Sequence, residues 1–495
     1  MKTPSNDLFL LIKSLTKSER RYFRQFAARH IIGEQNQYLS LFEAIDAQKE
    51  YDESALKLSI EGTSYAKYLA VAKQYLQEQI LESLHLFHQY KDPEEKIKKQ
   101  LHLSKVLIQK KLLEQAERLL KKTRRLMEKQ AAWECGAELI ATERKLKRSQ
   151  KALNTKNVET SYQTLTVLLE KQAIHNQYWF LSQQIMAAHL ENIKVNQAEK
   201  KVLLDQVARQ LLAMGLPTDA VVKIDYYKAL ATYHFMNGDV AEAAKYNQQL
   251  LNLFDNSPDL VEAEREQYIA VFNNYLIDNH ILGNYELLEA GVARLRKLPE
   301  QTLFKSIPNL NIKVLELTYS LQLNARIAQK EFESALELLP DLEREMELHQ
   351  KSIALNYLLS FHYLRAYIYF MNGSYGQTLD CIESLKSPLF KDMMRALQLA
   401  TDRLLLLTHY ELGNYLLLEN LLQSTRRAHR QLKVKSALED CLFKYLKKLS
   451  VVTNAKESTG LRQKLKVALL ELKASEPNAW EYFDFEYWLD NSVKV

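Results

Sequence analysis

Five times between Met236 and Tyr415 the chain repeats one phrase: a long apolar helix, a short turn, an aromatic or aliphatic residue, then a second amphipathic helix. The copies are Asn237-Gly238-Asp239-Val240, Leu282-Gly283-Asn284-Tyr285, Lys330-Glu331-Phe332, Asn372-Gly373-Ser374-Tyr375 and Leu412-Gly413-Asn414-Tyr415. A helical hairpin cannot bury its apolar faces alone, so repeated hairpins must stack on their neighbours. The repeat therefore predicts an all-α solenoid, a chain that presents a surface for holding something and is not an enzyme. Measured from Val240 through Tyr285, Phe332, Tyr375 and Tyr415, the steps are 45, 47, 43 and 40 residues. Pro258, Pro299 and Pro388 fall between units and mark where each second helix has ended.

Composition points the same way. The 495 residues include 11 Gly and 9 Pro, well under the usual shares of about 7% and 5%. Both residues break helices, so long uninterrupted helices are expected. No sustained period-two alternation argues for strands. Cys135, Cys381 and Cys441 are odd in number, far apart and outside any C-x-x-C pair. They fit a reduced compartment and small buried apolar positions. The apolar run over residues 8–12 follows Asp7 and is too short for a signal core. No stretch approaches the roughly 20 apolar residues of a membrane helix. A cytoplasmic protein without membrane association is expected.

Four regions are predicted. Residues 1–93 form an N-terminal helical cap, in which Thr16-Lys17-Ser18-Glu19 reads as a capping box. Tyr38, Leu41, Phe42 and Ile45 share one stripe there, as do Leu69, Ala72, Leu76 and Ile80. Tyr65 belongs to the second of these helices, Gly62-Thr63-Ser64 breaks the chain before it, and Asp92-Pro93 ends it. The connection over residues 30–36 is too long for a DNA-binding helix-turn-helix. Residues 94–222 form a basic helical region with weak repeats. Lys111-Leu112-Leu113-Glu114-Gln115-Ala116 is an early copy of the hairpin, 131–222 is helical with poor register, and Thr218 is placed to cap a helix. Residues 223–450 hold the hairpin repeats, and 451–495 a helix and an aromatic, acidic closing segment.

The segments Tyr227-Lys228-Ala229-Leu230-Ala231, Asn237 to Ala243, Leu282 to Glu286 and Leu412 to Tyr415 resemble tetratricopeptide hairpins. The resemblance implies a right-handed array whose first helices line a concave, protein-binding side. The step exceeds that family's 34 residues. The expected small residue after the turn is present as Ala243 and Ala335 but is Leu288, Thr378 and Leu418 elsewhere. Residues 11–23 and Tyr482-Phe483-Asp484-Phe485 resemble the ends of a bacterial helical-repeat family, which implies no function.

No phosphate loop, dinucleotide turn, nucleophile elbow or zinc-protease motif is present. His85 and His88 share a helix face, but a zinc site needs two more ligands. The sequence thus assigns no catalytic residues, metal, cofactor or small-molecule ligand. Charge is the most uneven feature. Residues 94–156 carry 18 Lys plus Arg against 8 Glu and no Asp, a net +10 in a chain of net +6, so the rest sums to −4. Lys121, Lys122, Arg124 and Arg125 cluster, followed by Arg144, Lys145, Lys147 and Arg148. Such a patch is a solvated face, a dock for an acidic protein segment, or a track for a phosphate backbone.

Ten residues before the five turn positions stand Lys228, Asn273, Ser320, Tyr363 and Arg403. Equivalent positions should face one surface. Lys228 and Arg403 suit partner carboxylates, Asn273 suits a peptide backbone, and Tyr363 with Tyr367 forms an aromatic shelf one turn apart. The C-terminal Trp480, Tyr482, Phe483, Phe485, Tyr487 and Trp488 either close the last hairpin or dock a partner. The expected function is a non-enzymatic scaffold that takes a peptide or helix of a protein partner. The alternative is a nucleic-acid-associated regulator using residues 94–156.

Overall fold

The computed structural model describes residues 6–28, 37–63, 66–88, 93–190, 197–305, 307–387, 395–431 and 436–491. The 30–36 connection, Ser64, Tyr65, Asp92, Pro388 and the side chain of His88 lie outside that description. The chain is all-α, with no strand among the described residues. It divides into two compact units, Met1–Ala229 and Leu230–Val495.

The first unit opens with α1 (Asp7–Ser14), α2 (Lys17–Ala28), α3 (Gln37–Ala47), α4 (Glu53–Ser59) and α5 (Leu69–His88). The capping box at α2 forms. Thr16 N–H donates to Glu19 Oε2 at 2.8 Å, and Glu19 N–H donates to Thr16 Oγ1 at 3.3 Å. Phe23, Leu41, Phe42, Ile45, Leu76 and Ile80 are buried together as a core. Tyr38, the outermost member of its stripe, instead lies over Tyr75 with ring centroids 4.3 Å apart.

Next come α6 (Pro93–Gln109), α7 (Leu113–Lys129), α8 (Gly136–Ser149), α9 (Thr155–Leu190), α10 (Gln197–Met214) and α11 (Ala220–Met236), which carries the boundary between units. Helices α6, α7 and α8 pack mutually. The poor register of this stretch has a structural cause. Helix α9 runs 36 residues and packs on α8 and then on α10. Its buried face shifts from Ser161 and Leu168 to Tyr178, Leu181, Ile185 and Ala188. Ten residues separate Leu168 from Tyr178, which turns a helix by about 280°, so no single stripe runs its length. Helix α11 starts at Ala220, so Asp219 and not Thr218 precedes it.

The second unit contains α12 (Val240–Asp255), α13 (Pro258–Ala263), α14 (Arg265–Ile281), α15 (Tyr285–Arg296), α16 (Leu310–Ala328), α17 (Phe332–Glu337), α18 (Leu339–His349), α19 (Leu355–Met371), α20 (Tyr375–Leu385), α21 (Arg395–Glu411) and α22 (Tyr415–Gln431). It ends with α23 (Ala437–Leu449), α24 (Ala455–Leu472), α25 (Pro477–Tyr482) and α26 (Phe485–Asn491). Most consecutive helices pack on one another, α14 also touches α16, α16 touches α19, α19 touches α21, and near the end α21 touches α25 and α24 touches α26.

The repeated phrase is a Schellman turn. The residue at the turn takes positive φ; its N–H donates three residues back, and the next N–H donates five back. Among the described residues eight turns do this, at Lys111, Ala131, Lys151, Gly238, Gly283, Lys330, Gly373 and Gly413, with the longer bond at 2.8–3.0 Å in each. The aromatic two places later closes the turn against the helix just left. Its ring meets that of the residue three before the turn: His280 with Tyr285, Phe370 with Tyr375, and Tyr410 with Tyr415, at 5.6–6.2 Å. Three residues further on, Ala243, Leu288, Ala335, Thr378 and Leu418 are all fully buried. The position is equivalent in every copy although its size varies.

Candidate functional site

In the second unit, α14, α16, α19 and α21 each run into one of these turns, so equivalent positions can be compared directly. Lys228 falls in the first unit, half-buried, with its charge near Asp225.

On α19 the predicted shelf exists. The rings of Tyr363 and Tyr367 are parallel to within 9°, with centroids 6.5 Å apart. Neither is open to solvent: each is 4% exposed. The chain's own C-terminal segment lies on them. Tyr363 donates its hydroxyl proton to the Tyr482 carbonyl at 2.7 Å, and the Asp484 N–H donates to the Tyr367 hydroxyl at 3.1 Å. Burial pushes both phenols well above their ordinary range.

Arg403 on α21 is likewise buried. Its Nε donates to Glu439 Oε1 at 2.9 Å, its Nη1 donates to the Ala479 carbonyl at 2.9 Å, and the Phe485 ring lies 5.5 Å beneath the guanidinium. The arginine expected to meet a partner's carboxylate therefore meets one from α23 and a carbonyl from α25. Trp488 Nε1 donates to Glu411 Oε1 at 2.9 Å. The Glu476 carboxylate accepts from the N–H groups of Ala437 and Leu438, which caps α23. Phe483, Phe485 and Trp488 join the main core of this unit.

On α14 and α16 the positions equivalent to Tyr363 and Arg403 are Asn273 and Ser320, both half-buried. A cleft of about 540 Å³ opens there, floored by Ile269, Leu310 and Leu317 and rimmed by Asn273, Asn274, Lys313 and Tyr357. That volume lies in the range of ligand-sized sites, about 300–1,000 Å³. Glu316 sits at its base, 4% exposed. Its Oε1 accepts from the Ala354 N–H at 2.6 Å, while the Lys313 ammonium stands 3.7 Å from Oε2 and 5.1 Å over the Tyr357 ring. Asn273 is the one predicted groove residue lining this cleft. Ser320 is half-buried further along α16, where its carbonyl accepts from Asn324 Nδ2 at 2.8 Å. The cleft offers amides, a hydroxyl and an ammonium around an apolar floor, which is chemistry for holding a peptide group.

A second cleft, of about 600 Å³, lies in the first unit between Arg124, Glu128, Trp133, Lys171 and Asp219. Sequence reasoning missed its central cluster. Trp133 Nε1 donates toward His175 Nε2 at 3.1 Å and Asp219 Oδ2 at 3.2 Å, and that imidazole nitrogen meets Asp219 Oδ2 at 2.6 Å. The Lys171 ammonium stands 4.1 Å over the indole. The three residues are 42 to 86 positions apart, so no local pattern marks them. They tie the turn before α8 to α9 and to the start of α11. No hydrogen bond joins the imidazole to a hydroxyl or thiol among the described residues.

The basic residues divide between two helices. On α7, Lys121 pairs with Glu117 at 2.9 Å and Arg124 with Glu143 at 2.7 Å, while Lys122 and Arg125 are exposed. On α8, Arg144 donates to the Ser161 carbonyl at 3.5 Å, Lys147 is half-buried, and Lys145 and Arg148 are exposed. Among the described residues no group of three His, Cys, Asp or Glu is placed to hold a metal ion, and no helix is long and apolar enough to cross a membrane. Cys135 and Cys381 are buried free thiols, and burial raises their pKa values.

Compared with protein-family models, curated proteins and solved structures, the chain matches none of them.

Proposed function

We propose that the hairpins form a tetratricopeptide-like solenoid with an N-terminal helical cap, acting in the cytoplasm as a non-enzymatic scaffold. Its ligand is an extended or helical segment of a partner protein, held on the face of the first helices at the cleft between α14 and α16. One observation carries this reading: two hairpins further on, the first helices α19 and α21 already hold residues 479–484 through their main-chain groups. A surface that binds the peptide backbone of one segment has the geometry to bind another, and its rigid hairpins lower the ordering cost of capture. Single-segment binding of this kind falls near micromolar affinity, about −8 kcal/mol.

Panning a displayed-peptide library against the full-length chain tests the proposal. Ala270 on α14 also lines the cleft, and binders should lose at least about tenfold, or 1.4 kcal/mol, when Ala270→Trp fills it. Thermal stability serves as the control for folding. Binders that ignore Ala270→Trp and Asn273→Arg alike would remove the cleft from the mechanism.

A further inference from the structure

Helix α7 buries Ala116, Leu120, Thr123 and Met127. Its opposite face carries Arg118, Lys122 and Arg125, four and three residues apart and therefore in one line. All three are exposed, and no ion pair engages them among the described residues. The line extends about 10 Å along the helix. Glu117, Glu143 and Glu138 are committed to Lys121, Arg124 and Lys105, while Glu114 and Glu128 of α7 are exposed and make no ion pair with the line. Counting every acid of α7, six Lys plus Arg stand against three Glu over residues 113–129, so the helix stays net positive.

What the face lacks identifies the partner. The outer face of α7 carries no large apolar side chain; the nearest exposed ones, Leu112 before the helix and Leu103 and Val106 on α6, lie off that face. Protein interfaces centre on buried aromatic and apolar anchors, so an acidic protein segment would find charge here but no anchor. Single-stranded nucleic acid needs aromatic platforms for its bases, and the one tryptophan of this stretch, Trp133, is buried. A row of cations without either feature matches the phosphates of a duplex. We propose that the outer face of α7 binds the backbone of double-stranded nucleic acid without reading its sequence, through Arg118, Lys122 and Arg125. Three phosphate contacts give a weak interaction, steeply dependent on salt.

Fluorescence anisotropy with the full-length chain and a labelled duplex tests this. The slope of log affinity against log salt should be about −2.7, a loss of roughly 40-fold between about 50 and 200 mM salt. Two duplexes of unrelated sequence should bind equally. Neutralising the line as Arg118→Gln, Lys122→Gln and Arg125→Gln should abolish binding and leave circular dichroism unchanged. The variant Lys145→Gln with Arg148→Gln, off the line, should keep the slope. No binding at low salt would overturn the proposal. So would an equal loss in the off-line variant, since net charge would then be the cause. Tighter binding of polyglutamate than of the duplex would replace nucleic acid with an acidic protein.

Discussion

The tail-covered helices α19 and α21 and the cleft of α14 and α16 belong to successive hairpins and share one register position, ten residues before the turn: there Tyr363 and Arg403 are core, while Asn273 lines a cleft. The difference lies in the side chains the repeat places there. Ten residues before each turn the covered half presents Tyr363 and Arg403 and the other half Asn273 and Ser320, and six before it Tyr367 stands where α14 has Ile277 and α16 has Asn324. Rings left in water would cost far more than amides, so the chain spends its own aromatic end on the first set and leaves the second wet. One hairpin architecture thus gives a closed core or an open cleft according to a few residues per hairpin.

The largest expected effect falls where the tail is deepest. Phe485→Ala removes a fully buried ring and should cost about 3–5 kcal/mol. Thermal melting reads this, and an unchanged Tm would show that the tail only rests on the face. Arg403→Ala should cost a comparable 3–5 kcal/mol, because it strands the buried Glu439 carboxylate. For that reason Arg403 cannot report on partner capture, and Asn273 is the cleaner probe.

On the open side, α14 hides a carboxyl of its own. Burial holds Asp278 up at about 6, although Asn247 Nδ2 donates to it at 2.6 Å. Its folded value lies above its unfolded one, so its contribution is intact below about pH 4 and is lost as pH rises through about 6. Asp278→Asn should therefore raise stability at pH 7.5 by up to about 3 kcal/mol and change little at pH 4. An equal gain at both pH values would sink the assignment. The smallest effects separate the two faces directly. Tyr367→Phe removes the acceptor for the Asp484 N–H and should cost about 1 kcal/mol. Asn273→Ala should stay within about 0.5 kcal/mol. Equal costs in urea titrations would break the distinction between covered and open halves.

Much of the fold is written locally. The Schellman turns were legible where glycine supplies the positive φ, and at Lys330, where the following Phe332 gives the copy away. They were missed at Ala131 and Lys151, because nothing in those residue types announces a left-handed backbone. The long α9 defeated periodicity because it has two successive partners. Of the predicted groove, Asn273 lines an open cleft, while Tyr363, Tyr367 and Arg403 were placed on the right helices with no sign of what covers them. Their polar groups meet residues 36 to 119 positions away.

The sequence by itself determined the all-α class, the hairpin turns, the buried position after each turn and the uneven charge. Each of these follows from interactions within a few residues: backbone bonds three and five apart, rings five apart, and side chains on one helical face. Only the tertiary structure decided which equivalent positions are core and which are free, and which cations are already paired. Those outcomes depend on where a distant segment comes to lie. A polar or aromatic side chain looks the same in the sequence whether its partner is water or residue 482.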